Sequence, residues 1–173
     1  MVEGPRPRAG DGRGRGRLAR LEAPGRRLIA QREMAGREDN DKVGIIGYCC
    51  GGRQAYLAAC SLRGVDAAID CYGGGVVAQP QELTPRQPVA PIELTKDLQC
   101  PLLGLFGIED ARPSPQDVAK TEEALKKFGK TYEFHTYENA GHAFFAVDRP
   151  QYRVHAAVDG WKKVFAWFEK HLQ

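Results

Sequence analysis

Val43-Gly44-Ile45-Ile46 runs directly into Gly47-Tyr48-Cys49-Cys50-Gly51-Gly52, and this junction constrains the chain more than any other stretch. The run is rich in β-branched residues, uncharged and too short for a helix of ordinary length. It therefore reads as a strand over Val43 to Tyr48, buried on both faces as in a parallel sheet. A helix from Gly52 to about Ser61 is expected to follow. Between them, Gly47-Tyr48-Cys49-Cys50-Gly51 fits the nucleophile-elbow pattern GxSxG with cysteine in place of serine. Such a turn is strained, and both flanking glycines are expected to be needed because Cβ atoms beside the nucleophile would have no room. It would lift the Cys49 sulfur clear of the sheet at a helix N-terminus, where unpaired N–H groups and the dipole favour an anion. The Cys50 N–H would then form half of an oxyanion hole. Taken alone, the pattern also admits a phosphate cradle, a redox pair or two structural thiols. Neither a lysine-bearing P-loop nor GxGxxG accompanies it.

At 173 residues the chain fits one domain. Its 5 cysteines are Cys49, Cys50, Cys60, Cys71 and Cys100. They are odd in number and lack CxxC spacing, which argues against a disulfide framework or a zinc ribbon and points to a reducing, cytoplasmic setting. Neither a membrane-spanning run nor a secretory leader is read in the sequence. The net charge of +3 is unevenly spread, since residues 1–40 carry ten of the sixteen arginines, no lysine and six acids. The Gly/Pro/Arg composition of residues 1–17 predicts disorder. Alternating glycine and arginine over 12–17 would suit nonspecific RNA contact, although no aromatic residue is interleaved. Leu18, Leu21, Leu28, Ile29 and Met34 suggest one or two short helices, broken at Pro24-Gly25. Domain organisation is thus a leader over 1–40 and an α/β domain over 41–173.

Beyond the elbow, Val65 to Tyr72 reads as a second strand ending in Gly73-Gly74-Gly75. Proline-rich Val76 to Leu98 is expected to be a surface excursion with little regular structure. Pro101 to Gly107 gives a third buried strand, stopping before Ile108-Glu109-Asp110. A carboxylate thereby falls at the sheet edge where open α/β folds keep their sites, although Asp110 could equally cap a turn. Pro115 to Phe128 is patterned as an amphipathic helix, Thr131 to Tyr137 as a fourth strand, and Tyr152 to Leu172 as a closing helix. The broad apolar stripe of that last helix, including Val154, Val158, Trp161 and Phe165, is assigned to the core and to no cofactor. His142, in Asn139-Ala140-Gly141-His142, follows the fourth strand and completes the chain order Cys, Asp, His.

The segments KVGIIGYCCGG, VDAAIDCYGGG, CPLLGLFGIEDARPSP and YENAGHAFF, followed by DRPQY and an aromatic terminal helix, together resemble the dienelactone hydrolase family over about Asp41 to Leu172. The resemblance implies an α/β-hydrolase fold with a mostly parallel sheet, and a catalytic set of Cys49 as nucleophile, Asp110 as acid and His142 as base. It implies acyl transfer on a small ester or enol-lactone without a cofactor or metal. Tyr72, Phe144 and Phe145 would line the acyl pocket, and Arg149 would meet a substrate carboxylate.

Members of that family resemble full α/β-hydrolases, with several strands ahead of the elbow. Only 48 residues precede Cys49, without a strand-like apolar run. The expectation is therefore a truncated member, weak in catalysis or stabilised as a homodimer across an exposed strand edge. The abrupt Arg/Gly/Pro bias of the leader would also follow from a shifted reading frame upstream. The alternative function is a noncatalytic hydrolase-like module, with RNA contact through the leader.

Overall fold

A computed structural model of the chain describes residues 42–173. The expected disordered leader, its short helices and its RNA contact lie outside the described residues. The elements in order are β1 (Gly44–Tyr48), α1 (Cys50–Ser61), β2 (Ala67–Cys71), β3 (Leu102–Gly107), α2 (Pro115–Lys127), β4 (Tyr132–Tyr137) and α3 (Val154–His171). Among the described residues they form one 4-stranded sheet in the order β1-β2-β3-β4. Every pairing is parallel. Each strand must therefore be reached by a crossover, and all the strands deliver their C-terminal ends to one rim. In register, Tyr48 faces Cys71, Cys71 faces Leu105, and Gly107 faces Tyr137.

Alternation along the strands divides the core into two layers. Ile69, Cys71, Leu103 and Leu105 face one side and pack with Phe144, Val164 and Trp167 of the C-terminal region. Ala68 and Leu102 face the other, with Tyr56 and Leu62 from the α1 region and Leu125 of α2. This two-sided burial is why β2 and β3 read as near-continuous apolar runs. Ile45 and Ile46 of the edge strand β1 are half-buried, packed against opposite layers.

Two expectations require correction. The Val76–Leu98 excursion contains 3-10 helices at Pro80–Glu82 and Pro91–Asp97. It is also tied down: Arg53 donates to the Gly75 and Val89 carbonyls, and the buried Tyr56 hydroxyl meets Thr95 Oγ1 at 2.7 Å. Proline starts both turns, where its fixed φ suits the first helical position. The second correction concerns α3. Ala156, Ala157, Gly160, Val164 and Trp167 are buried, whereas Val154, Val158, Trp161 and Phe165 are 58%, 48%, 41% and 66% exposed. The apolar stripe is wider than the sheet that covers it. Its exposed flank lies toward the edge strand, where the Trp161 ring is 6.3 Å from that of Tyr48.

Asp70 is an ionisable group inside the core. It is 2% exposed, and its Oδ1 accepts the Gly73 N–H at 2.7 Å. Burial pushes its carboxyl up to about 7, against the pull of that N–H. Unfolded, the group titrates near about 3.9. Between these values the folded chain holds a proton that the unfolded chain has released, so Asp70's contribution to stability is greatest at low pH. That contribution declines as pH rises through about 4 to 7. Asp70→Asn has no charge to develop, so its stability relative to wild type is expected to increase over that window. Parallel pH profiles of urea midpoint for the two proteins would contradict this.

Candidate active site

The turn from β1 into α1 puts Cys49 at φ 56°, ψ −123°, a conformation that costs a non-glycine residue about 1–3 kcal/mol. Its own backbone bonds hold it there. The Cys49 N–H donates to Cys71 O at 3.0 Å, and Cys49 O accepts from the Gly52 and Arg53 N–H groups at 3.0 and 3.4 Å. The side chains of Cys49 and Cys50 are both exposed, in contrast to the buried Cys60, Cys71 and Cys100. Among the described residues the Cys50 N–H has no acceptor, as expected of a first helical position.

Of the two glycines flanking the cysteine in the GxCxG pattern, Gly47 is needed as expected and Gly51 is not. A Cβ on Gly47 would sit 1.9 Å from Gly51 O, whereas one on Gly51 would meet nothing within 4 Å. The second essential glycine is Gly52, where a Cβ would lie 2.2 Å from Asp70 Oδ1 and 2.9 Å from the Gly73 Cα. The tightness of the elbow itself thus requires Gly47, and close approach between α1 and the end of β2 requires Gly52. Gly47→Ala is expected to cost about 3 kcal/mol or more, because the clash is with backbone. Gly51→Ala should be neutral, or stabilising by up to about 1 kcal/mol. Urea denaturation of the pair checks this, and equal losses would contradict it.

Asp110 and His142 come together at the same rim. Past β3, the Ile108 N–H donates to Tyr137 O and the Glu109 N–H to Ala140 O at 2.9 Å, stitching the acid loop to the histidine loop. Gly107 permits this approach, since a Cβ there would lie 2.2 Å from Ala140 O. His142 Nδ1 lies 2.8 Å from Asp110 Oδ2. The other carboxylate oxygen, Oδ1, accepts the Arg112 N–H at 2.8 Å. The Asp110 side chain is 2% exposed and that of His142 36%. A buried carboxylate accepting on both oxygens requires the proton on Nδ1, which leaves Nε2 of the neutral ring as a base.

Tyr72 stands beside the His142 ring. Its φ is 43° and its ring meets that of His142 edge-on, with centroids 5.1 Å apart. Burial, then the nearby Cys71, Tyr48 and Cys49, push its hydroxyl well above the phenol range, while the nearby backbone of Phe145 acts the other way. Phe144 is fully buried and Phe145 is 8% exposed, both within the aromatic cluster beneath Tyr72. Arg149 is exposed on the loop beyond. Among the described residues, no hydrogen bond joins the Cys49 thiol to the His142 ring.

Sequence reasoning passed over Arg112, Gly107 and Gly52. Gly107 stands visibly before Ile108-Glu109-Asp110, but a backbone donor such as the Arg112 N–H has no signature in residue type.

A parallel sheet that carries an elbow cysteine after β1, an acid after β3 and a histidine after β4, all at one rim, has the α/β-hydrolase fold. The chain belongs to the dienelactone hydrolase family, whose sequence pattern matches residues 9–172. It is 37% identical over 143 residues to a provisionally named carboxymethylenebutenolidase of Methylorubrum extorquens, covering 83% of this chain and 48% of that protein. It is 30% identical over 132 residues to a Bradyrhizobium protein provisionally named a 2-oxo-3-(5-oxofuran-2-ylidene)propanoate lactonase, covering 76% of this chain and 52% of that one. A crystal structure of a provisionally named dienelactone hydrolase from Klebsiella pneumoniae superposes with a TM-score of 0.73 at 34% identity, covering 83% of this chain and 58% of that one. The chain thus spans about half the length of the curated relatives it matches.

Proposed function

We propose that this chain carries the nucleophile, base and acid of a carboxylic ester or enol-lactone hydrolase, with Cys49, His142 and Asp110 in those roles. The Asp110–His142 bond of 2.8 Å carries the reading, because it orients one imidazole nitrogen for proton transfer at the rim where Cys49 is exposed. His142 Nε2 takes the Sγ–H proton, and the sulfur lone pair forms a bond to the carbonyl carbon. The carbonyl π pair moves onto oxygen, where the Cys50 N–H receives it. Collapse breaks the acyl C–O bond, and the imidazolium returns its proton to the departing oxygen. In a lactone that oxygen stays tethered to the acyl chain. Water, deprotonated by Nε2, then attacks the thioester, and the thiolate leaves.

Tyr72, Phe144 and Phe145 shape the acyl side of this site, with Phe144 and Phe145 acting from beneath Tyr72. The exposed Arg149 is available to a substrate carboxylate. Provisional lactonase and butenolidase names among the relatives support the substrate class. The chain is expected to hydrolyse a p-nitrophenyl ester above background and to lose that activity in step with alkylation of one thiol, Cys49. Turnover that survives complete alkylation of Cys49, confirmed by peptide mapping, would refute the assignment.

A further inference from the structure

Asp70 takes no part in the chemistry above, yet it is enclosed directly beneath it. Its Oδ1 accepts the Gly73 N–H at 2.7 Å. The same oxygen lies where a Cβ would fall on Gly52 or on Gly73, at 2.2 and 2.3 Å. The carboxylate is thus wedged between the start of α1 and the loop that leaves β2. Tyr72 lies between Asp70 and Gly73, held at positive φ with its ring against His142. Cys71, one residue earlier, accepts the N–H of Cys49 at 3.0 Å. Both nucleophile and base therefore lean on the four residues 70–73, whose turn the Asp70–Gly73 bond closes.

We propose that Asp70 is a positioning residue for the reaction. By fixing the Gly73 N–H it keeps Tyr72 in its left-handed conformation and so sets the His142 ring relative to the Cys49 elbow. A side chain of this type suits the task because it is short and rigid, and an acceptor is all the Gly73 N–H requires. Acceptance of that hydrogen bond, rather than charge, is the property that matters. The inference rests on the Cys49–His142 reading, but one of its readouts does not depend on turnover.

The test uses the whole chain and compares Asp70→Asn, which keeps an acceptor oxygen, with Asp70→Ala and Asp70→Val, which do not. Valine is closer in size to aspartate and is favoured in a buried strand. Tyr72→Leu removes the ring edge itself. The His142 imidazole resonance, assigned by its loss in His142→Ala, reports ring placement with no substrate present. Ester kcat and KM report the consequence. In Asp70→Ala, Asp70→Val and Tyr72→Leu the resonance is expected to move, and kcat to fall about 10- to 100-fold with KM little changed. In Asp70→Asn both should stay at wild-type values. A folded Asp70→Ala or Asp70→Val with unaltered resonance and kcat would overturn the proposal, as would an Asp70→Asn that fails like alanine. Unfolding of both non-acceptor variants would also overturn it, showing a structural carboxylate only. An absence of ester turnover in the wild type would count against the hydrolase reading and leave the resonance comparison to decide this one.

Discussion

In Asp110→Asn, ester turnover is expected to fall by about 10⁴-fold while the fold is retained. The size of the loss follows from the two hydrogen bonds on that carboxylate. Oδ1 accepts the Arg112 N–H at 2.8 Å and Oδ2 faces His142 Nδ1 at 2.8 Å. An asparagine has one oxygen to offer, and the backbone N–H of Arg112 cannot change its polarity. The carboxamide oxygen must stay with Arg112, so the NH₂ group is turned toward His142. Nδ1 then has to accept rather than donate, which moves the ring proton to Nε2, the nitrogen that should take the thiol proton. The ring keeps its place and loses its capacity as a base. Measurement of kcat, with circular dichroism to verify folding, checks this. A loss of only a few-fold would mean that Asp110 merely closes a turn.

Removing the base outright is expected to cost at least as much. His142→Ala should lower kcat by about 10⁴- to 10⁶-fold, the range found when members of such a unit are deleted. One retained feature and one further loss accompany it. The Glu109–Ala140 backbone bond that joins the acid and histidine loops does not involve the ring, so the rim should keep its shape. Asp110, buried with its Oδ2 deprived of a partner, should make the variant modestly less stable, by about 1–3 kcal/mol. The double variant Asp110→Asn/His142→Ala is expected to be no slower than His142→Ala alone, because the two residues act as one unit. Additive losses would show that they act separately. Steady-state kinetics on the four proteins of the cycle, with urea denaturation for stability, tests both statements.

β2 and β3 were legible because both their faces are covered, which leaves uninterrupted apolar runs such as Leu102 to Gly107, and β4 because its residues alternate. The chain order of Cys49, Asp110 and His142 was legible because each falls just past a strand. Periodicity could not give the coverage of α3. It shows that Val154, Val158, Trp161 and Phe165 share a side of the helix, but how much of that side meets the sheet depends on where the sheet ends. The second essential glycine was hidden for a related reason. Gly47 is required by the backbone of its own turn and was legible, whereas Gly52 is required by Asp70 and Gly73, contacts made across the fold, and Gly51 fits the pattern but faces open space. The prolines of Val76–Leu98 suggested little regular structure, yet two of them open helical turns, and Tyr56 of α1 bonds Thr95 of the second. Asp70 was read only as one residue in an apolar strand, and no periodicity distinguishes a buried carboxylate that braces a turn from a strand-end polar residue.

Everything in the functional account passes through a covalent bond between an acyl group and one sulfur. The chain should be mixed with excess p-nitrophenyl ester, quenched in acid within the first turnovers and digested for mass spectrometry. A single acyl adduct is expected, located on Cys49, that disappears on longer incubation and is absent from Cys49→Ala. An adduct on Cys50 or elsewhere, or ester turnover that continues in Cys49→Ala, would contradict it.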